Sequence, residues 1–145
     1  MNGDSKEISY SGFWARSLAA LIDWVPLILL LYLVGFGMGH IAAAIGTGEI
    51  YLRIAANLIG LVAPWLYFTL FECSERQATP GKMLLGIKVT DLQGSRISFL
   101  RATGRYAAKG ISIVIGFAGF IMAGFTGKKQ GLHDIIAGCL VVKCR

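Results

Sequence analysis

Charge is scarce in this chain: 15% of its 145 residues are Asp, Glu, Lys or Arg, against roughly 25% in an ordinary soluble domain. With 55% apolar residues beside that shortage, disorder is excluded and a soluble globular domain is disfavoured. Cysteine is scarce too. Cys73, Cys139 and Cys144 form no CxxC pair and no even framework, so neither a zinc site nor a disulfide scaffold is expected and the three thiols read as reduced. Gly81-Lys82 lacks the GxxxxGK[ST] spacing of a phosphate-binding loop. No nucleophile, base and orienting partner recur together and no cofactor fingerprint appears, so the chain does not read as an enzyme and no cofactor is expected. His40 and His133 stand too far apart, on what read as opposite sides of a membrane, to share a metal. The net charge of +6 comes from residues placed between apolar segments rather than from a basic stripe interleaved with aromatics, so no nucleic-acid partner is expected.

What the chain does have is long apolar runs, about the length that crosses a bilayer core of roughly 30 Å. Ser17 to Gly39 is apolar except for Asp23, and Ile54 to Phe71 carries no formal charge. Ala42 and Ala44 resemble a signal-peptide cleavage site. The run before them is longer than an h-region of roughly 7 to 15 residues and Asp23 interrupts it, so it reads as a span. The expected fold is an all-α integral membrane protein with two transmembrane helices, a third segment that is broken or re-entrant or else spans, and a small cytoplasmic β element of two or three strands. In order, the divisions are a cytoplasmic tail at 1–12, helix 1 at about 13–39, helix 2 at about 52–72, a cytoplasmic loop at 73–109, the third membrane segment at about 110–127, and a cytoplasmic turn and strand at 128–145.

From Glu72 to Lys109 there are seven basic residues against three acids, which by the positive-inside rule puts the loop and the amino terminus in the cytoplasm of a cell-membrane protein. Within it, Thr79-Pro80 reads as a helix start and Gly86 as its stop. Lys82 is expected to snorkel to headgroup phosphates. Ile87 to Thr90 reads as a strand and Arg96 to Phe99 as its return. CLVVKC at 139–144 is a strand without a partner of its own, and an isolated strand is not stable. Pairing it with Ile87 to Thr90 requires both on one side of the membrane, which favours a third segment that bends near Gly116 to Gly119 over one that spans.

Asp23 is the most informative position, since an ionisable group inside a span costs roughly 2.5 to 3.5 kcal/mol and turns to a partner or a cavity. Arg16 stands seven residues earlier, two turns away on nearly the same face. GLHDIIAG at 131–138 reads as a short helix whose apolar face seats His133 or Asp134 against the bundle, where the Asp134 carboxylate can receive both nitrogens of Arg16. Arg16, Asp23 and Asp134 are expected to converge in one cluster at the cytoplasmic end, either fixing packing or handling a monovalent cation or proton. Asn57 and His133 are secondary candidates, Asn57 as an interhelical hydrogen-bond donor and His133 as a group titrating near neutral pH.

GFWARSLAALIDW, TPGKMLLGIKVTDLQG, ISFLRATGRY and KKQGLHDIIAG together resemble the RDD family of bacterial membrane proteins, over about residues 10–143. Arg16, Asp23 and Asp134 fall on the arginine and two aspartates for which the family is named. Departures are Glu72 and Glu75, more acidic than this linker ordinarily is, and Cys139, where the family has a small Thr. The resemblance implies a largely uncharacterised membrane protein linked to transport and, in some members, to sodium/proton exchange. Two functions follow as expectations. One is a small transporter or transporter subunit, acting as a homo-oligomer or with a membrane-protein partner. The other is a non-transporting module that anchors, assembles or regulates a partner in the lipid bilayer.

Overall fold

A computed structural model describes residues 9–46, 48–115 and 118–144, with the side chains of Ala118 and Phe120 left out. The protein is mostly helical. α1 runs Phe13–Ile45 and α2 runs Glu49–Glu72, about 50 and 36 Å at 1.5 Å per residue. These two are long and apolar enough to cross a membrane, and side chains such as Leu21, Val25, Tyr32, Leu58 and Leu61 are exposed along them. α1 passes the expected end at residue 39 because the helix-forming run Ile41 to Ile45 follows Gly39. It stops at Gly46, whose φ of 69° is a left-handed cap bonded back to Ala42 O.

After α2 come α3 (Pro80–Leu84), β1 (Ile87–Asp91), α4 (Phe99–Val114), α5 (Ala118–Phe125), α6 (Leu132–Ala137) and β2 (Cys139–Lys143). β1 and β2 pair antiparallel with Ile87 opposite Lys143 and Thr90 opposite Leu140, the pairing expected from the two lone strand signals. A single bridge between Tyr10 and Val142 adds the amino-terminal segment to the free side of β2, with Ser11 N donating to Val141 O and Lys143 N to Ser9 O. Ile87, Val89, Cys139 and Val141 from the sheet, Ala19 from α1, and Ile97 and Ala102 from the α4 region form the buried core at this end.

One expectation changes. The segment Arg96 to Phe99 is not a returning strand. Asp91 Oδ1 accepts from Gln93 N and Ser95 N to close the turn, and Ser98 then caps α4 by accepting from Arg101 N, so the polar residue that looked like strand alternation starts a helix. The loop expected at 73–109 accordingly contains α3, β1 and the first eleven residues of α4. The third segment expected at about 110–127 takes in the last five residues of α4 and the eight-residue α5, with α5 packed on α1, α4 and α6. The bend expected near Gly116 to Gly119 falls partly on residues 116 and 117, outside the described residues.

Candidate functional site

At the sheet end of the two long helices, five helices bring charged side chains into one buried network. Its first node is Asp23 on α1, 2% exposed. Oδ1 accepts from Tyr67 Oη of α2 at 3.1 Å and from Gly81 N of α3 at 2.7 Å, and Oδ2 accepts from Thr79 Oγ1. The TPGK segment is built for this contact. Thr79 caps α3 by accepting from Lys82 N while its hydroxyl proton goes to Asp23. Pro80 occupies the first helical position, where no N–H is needed, and Gly81 presents its N–H to the carboxylate. A Cβ on Gly81 would lie 2.3 Å from Ala19 O and 2.9 Å from Asp23 Cγ, so only glycine lets α3 reach α1.

The second node is Asp134, fully buried at the third position of α6. Oδ2 accepts from Arg16 Nη1 and from Gly131 N at 3.2 Å, and Oδ1 accepts from Arg105 Nε at 2.7 Å. His133 Nε2 stands 3.5 Å from Oδ1. Arg16 also donates through Nε to Ser11 O at 3.1 Å, tying the bridged amino-terminal segment to the node.

The third node is Glu72, the last residue of α2, 1% exposed. Oε1 meets Lys82 Nζ at 2.6 Å and Lys109 Nζ at 3.3 Å, and Oε2 meets Arg105 Nη1 at 2.6 Å. Arg105 therefore bridges Glu72 and Asp134, and Lys82 joins Glu72 to the α3 start that Asp23 holds. Lys109 also lies 4.8 Å over the Phe68 ring.

Four cations, Arg16, Lys82, Arg105 and Lys109, face two carboxylates, Glu72 and Asp134. Burial, reinforced by Arg105 and Lys109, pushes Lys82 down to about 8 despite Glu72. Burial also pushes His133 down to about 3, outweighing the attraction of Asp134, so the imidazole is neutral at physiological pH rather than poised to titrate there. Burial alone would raise Asp134, but Arg105, His133 and Arg16 hold it well below the usual carboxylate range.

The sequence candidates are thus divided. Arg16 and Asp134 pair directly. Asp23 takes no bond from Arg16; hydroxyls and a backbone N–H hold it instead, and it reaches the Arg16–Asp134 pair only through Thr79, Lys82, Glu72 and Arg105. His133 lies beside Asp134. Asn57 is exposed on α2, far from the network. Sequence reasoning missed the centre of the network, Glu72 and Arg105, and placed Lys82 at the headgroups although it is buried against Glu72. A signal for Arg105 was present, since Ala102, Arg105, Ala108 and Ser112 recur on one helical face that is otherwise small, leaving room for a guanidinium.

The RDD family profile matches residues 10–138. The chain is similar to the uncharacterized protein YxaI of Bacillus subtilis (strain 168), 38% identical over 146 residues that cover 91% of this chain and 96% of the relative. It is also similar to the uncharacterized membrane protein YteJ of the same organism, 33% identical over 140 residues, 92% of this chain and 81% of the relative. YckC of that organism, another uncharacterized protein, is 28% identical over 140 residues, 90% and 83%. No solved structure matches the chain significantly.

Proposed function

This chain belongs to the RDD family, and from that premise we propose that it is a non-transporting membrane module, without a catalytic reaction of its own, that holds a small folded platform at the cytoplasmic surface of the cell membrane. The observation that carries this reading is the occupancy of Asp23. Its two oxygens accept three hydrogen bonds, from α2 and from both the cap and the backbone of α3, so its charge holds helices together. Asp134 and Glu72 are engaged in the same manner, by α1 and α4 in one case and α3 and α4 in the other. The platform consists of α3, the sheet and α6. Arg76, Arg96, Lys129 and Lys143 are exposed and Lys88 is partly so, a basic surface suited to anionic headgroups or an acidic partner protein, and on the cytoplasmic side by the positive-inside rule.

A second reading is cation or proton exchange. It is favoured by the position of Asp23, an ionisable residue within a candidate span that bonds a titratable hydroxyl, Tyr67. A pH jump across proteoliposomes containing the full chain separates the two. The module reading expects proton and sodium flux no greater than in empty liposomes. Flux that depends on the protein and is lost in a folded Asp23→Asn variant overturns it in favour of exchange.

A further inference from the structure

Asn57 is the one polar side chain singled out in the spans that the fold leaves unused. It is exposed on α2, and no described residue bonds its amide. Ile50, Ile54, Asn57 and Leu61 follow one another at steps of four, three and four residues, the spacing of a helix-packing seam. Ile50 is 62%, Ile54 50% and Leu61 70% exposed. Over this stretch α2 turns a different face to α1, bearing Glu49, Leu52, Arg53 and Ala56 beside Gly39 and Ala42. Toward the sheet end the same stripe continues through Pro64 to Phe68, and both are buried, Phe68 against Trp24 of α1 and Tyr106 of α4. The stripe is thus filled at one end and bare at the other.

We propose that the bare stripe is the contact between two copies of this chain, their α2 helices parallel and their Asn57 amides hydrogen-bonded to one another. An amide carries both donor and acceptor, so it complements its own copy across a two-fold axis. Lipid offers it neither. Gly60 stands beside the stripe with nothing within 4 Å of where its Cβ would be, which lets the second backbone come close, as small residues do in membrane helix pairs.

The test uses the full chain in lipid bilayers. With Cys73, Cys139 and Cys144 replaced by alanine, Ile54→Cys or Leu61→Cys should crosslink between copies, while Val25→Cys and Tyr32→Cys on the exposed surface of α1 should not. In dilution measurements by energy transfer between labelled copies, Asn57→Leu should weaken association roughly three- to twenty-fold, the range of one interhelical side-chain hydrogen bond, and Asn57→Gln should retain it. A chain that stays monomeric, crosslinking equal at the α1 positions, or unchanged association of a normally melting Asn57→Leu variant overturns the proposal. The first of those results would assign the stripe to lipid.

Discussion

Replacing Glu72 with Gln keeps the volume and shape of the side chain but removes the charge that three cations share. Lys82 and Arg105 contact that carboxylate at 2.6 Å and Lys109 at 3.3 Å. Arg105 retains Asp134, and Lys109, at 21% exposure, can turn outward. Lys82 has neither recourse, being 9% exposed with Glu72 as its partner. Removing one member of a buried pair costs roughly 3 to 5 kcal/mol, and in a chain of this size a kilocalorie moves the melting temperature by roughly 3 °C. Glu72→Gln is therefore expected to melt about 10 to 15 °C below the wild type at pH 7. Thermal unfolding in detergent followed by tryptophan emission reads it well, because Trp65 donates to Thr103 of α4 and senses whether α4 remains docked. Burial pushes Lys82 down to about 8 even with Glu72 raising it, so without Glu72 the stranded amine sheds its charge at a lower pH than in the wild type. The deficit should shrink between pH 7 and pH 9. A Glu72→Gln protein that melts within about 2 °C of the wild type at pH 7, roughly the smallest meaningful shift, would refute the reasoning, since the carboxylate would then not be holding the cations.

Two further predictions concern other parts of the network. His133 is neutral in the fold down to about pH 3, while in the unfolded chain it gains a proton below its ordinary value near 6.5; the unfolded state binds more protons between those limits, so stability should fall as pH drops from 6.5, by roughly 2 to 3 kcal/mol at pH 4.5. Melting curves should show that His133→Gln flattens this limb, with the further loss from protonating the depressed Asp134 remaining at still lower pH. Gly81→Ala should destabilise by roughly 1 to 3 kcal/mol or more, because its methyl would press on Ala19 O at 2.3 Å, and a normally melting Gly81→Ala protein would show that α3 does not dock as closely as described.

The fold was legible where one signal had one reading. The long runs around Asp23 and Asn57 gave the two helices long and apolar enough to cross a membrane, and two strands without other partners gave the sheet and its pairing. Arg96 to Phe99 was misread because Ser98 serves equally as an alternating strand residue and as a helix cap; the Asp91 turn, which lets the chain leave the sheet, decides between them. The candidate site was half legible. An aspartate within an apolar run marks itself by its desolvation cost, and Arg16 and Asp134 were expected to meet. Glu72 and Arg105 lie in a stretch rich in charge, where a buried charge looks like any solvated one, and only the packing of α4 across α2 and α6 removes them from water. Asp23 was expected beside Arg16 on grounds of charge, but hydroxyl and backbone donors from Tyr67, Thr79 and Gly81 satisfy it without a cation.

The central claim is that Asp23 is an anchor for α3, and amide hydrogen exchange in the Asp23→Asn variant tests it most directly. The carboxylate accepts the Gly81 N–H at 2.7 Å and the Thr79 hydroxyl, and hydrogen bonds to a charged group contribute roughly 1.5 to 3 kcal/mol each. Losing the charge should free α3 to open locally, so exchange over residues 79–85 is predicted to rise at least about tenfold while the amides in the middle of α1 and α2 stay protected. Unchanged exchange over residues 79–85 in a folded Asp23→Asn protein would contradict the account.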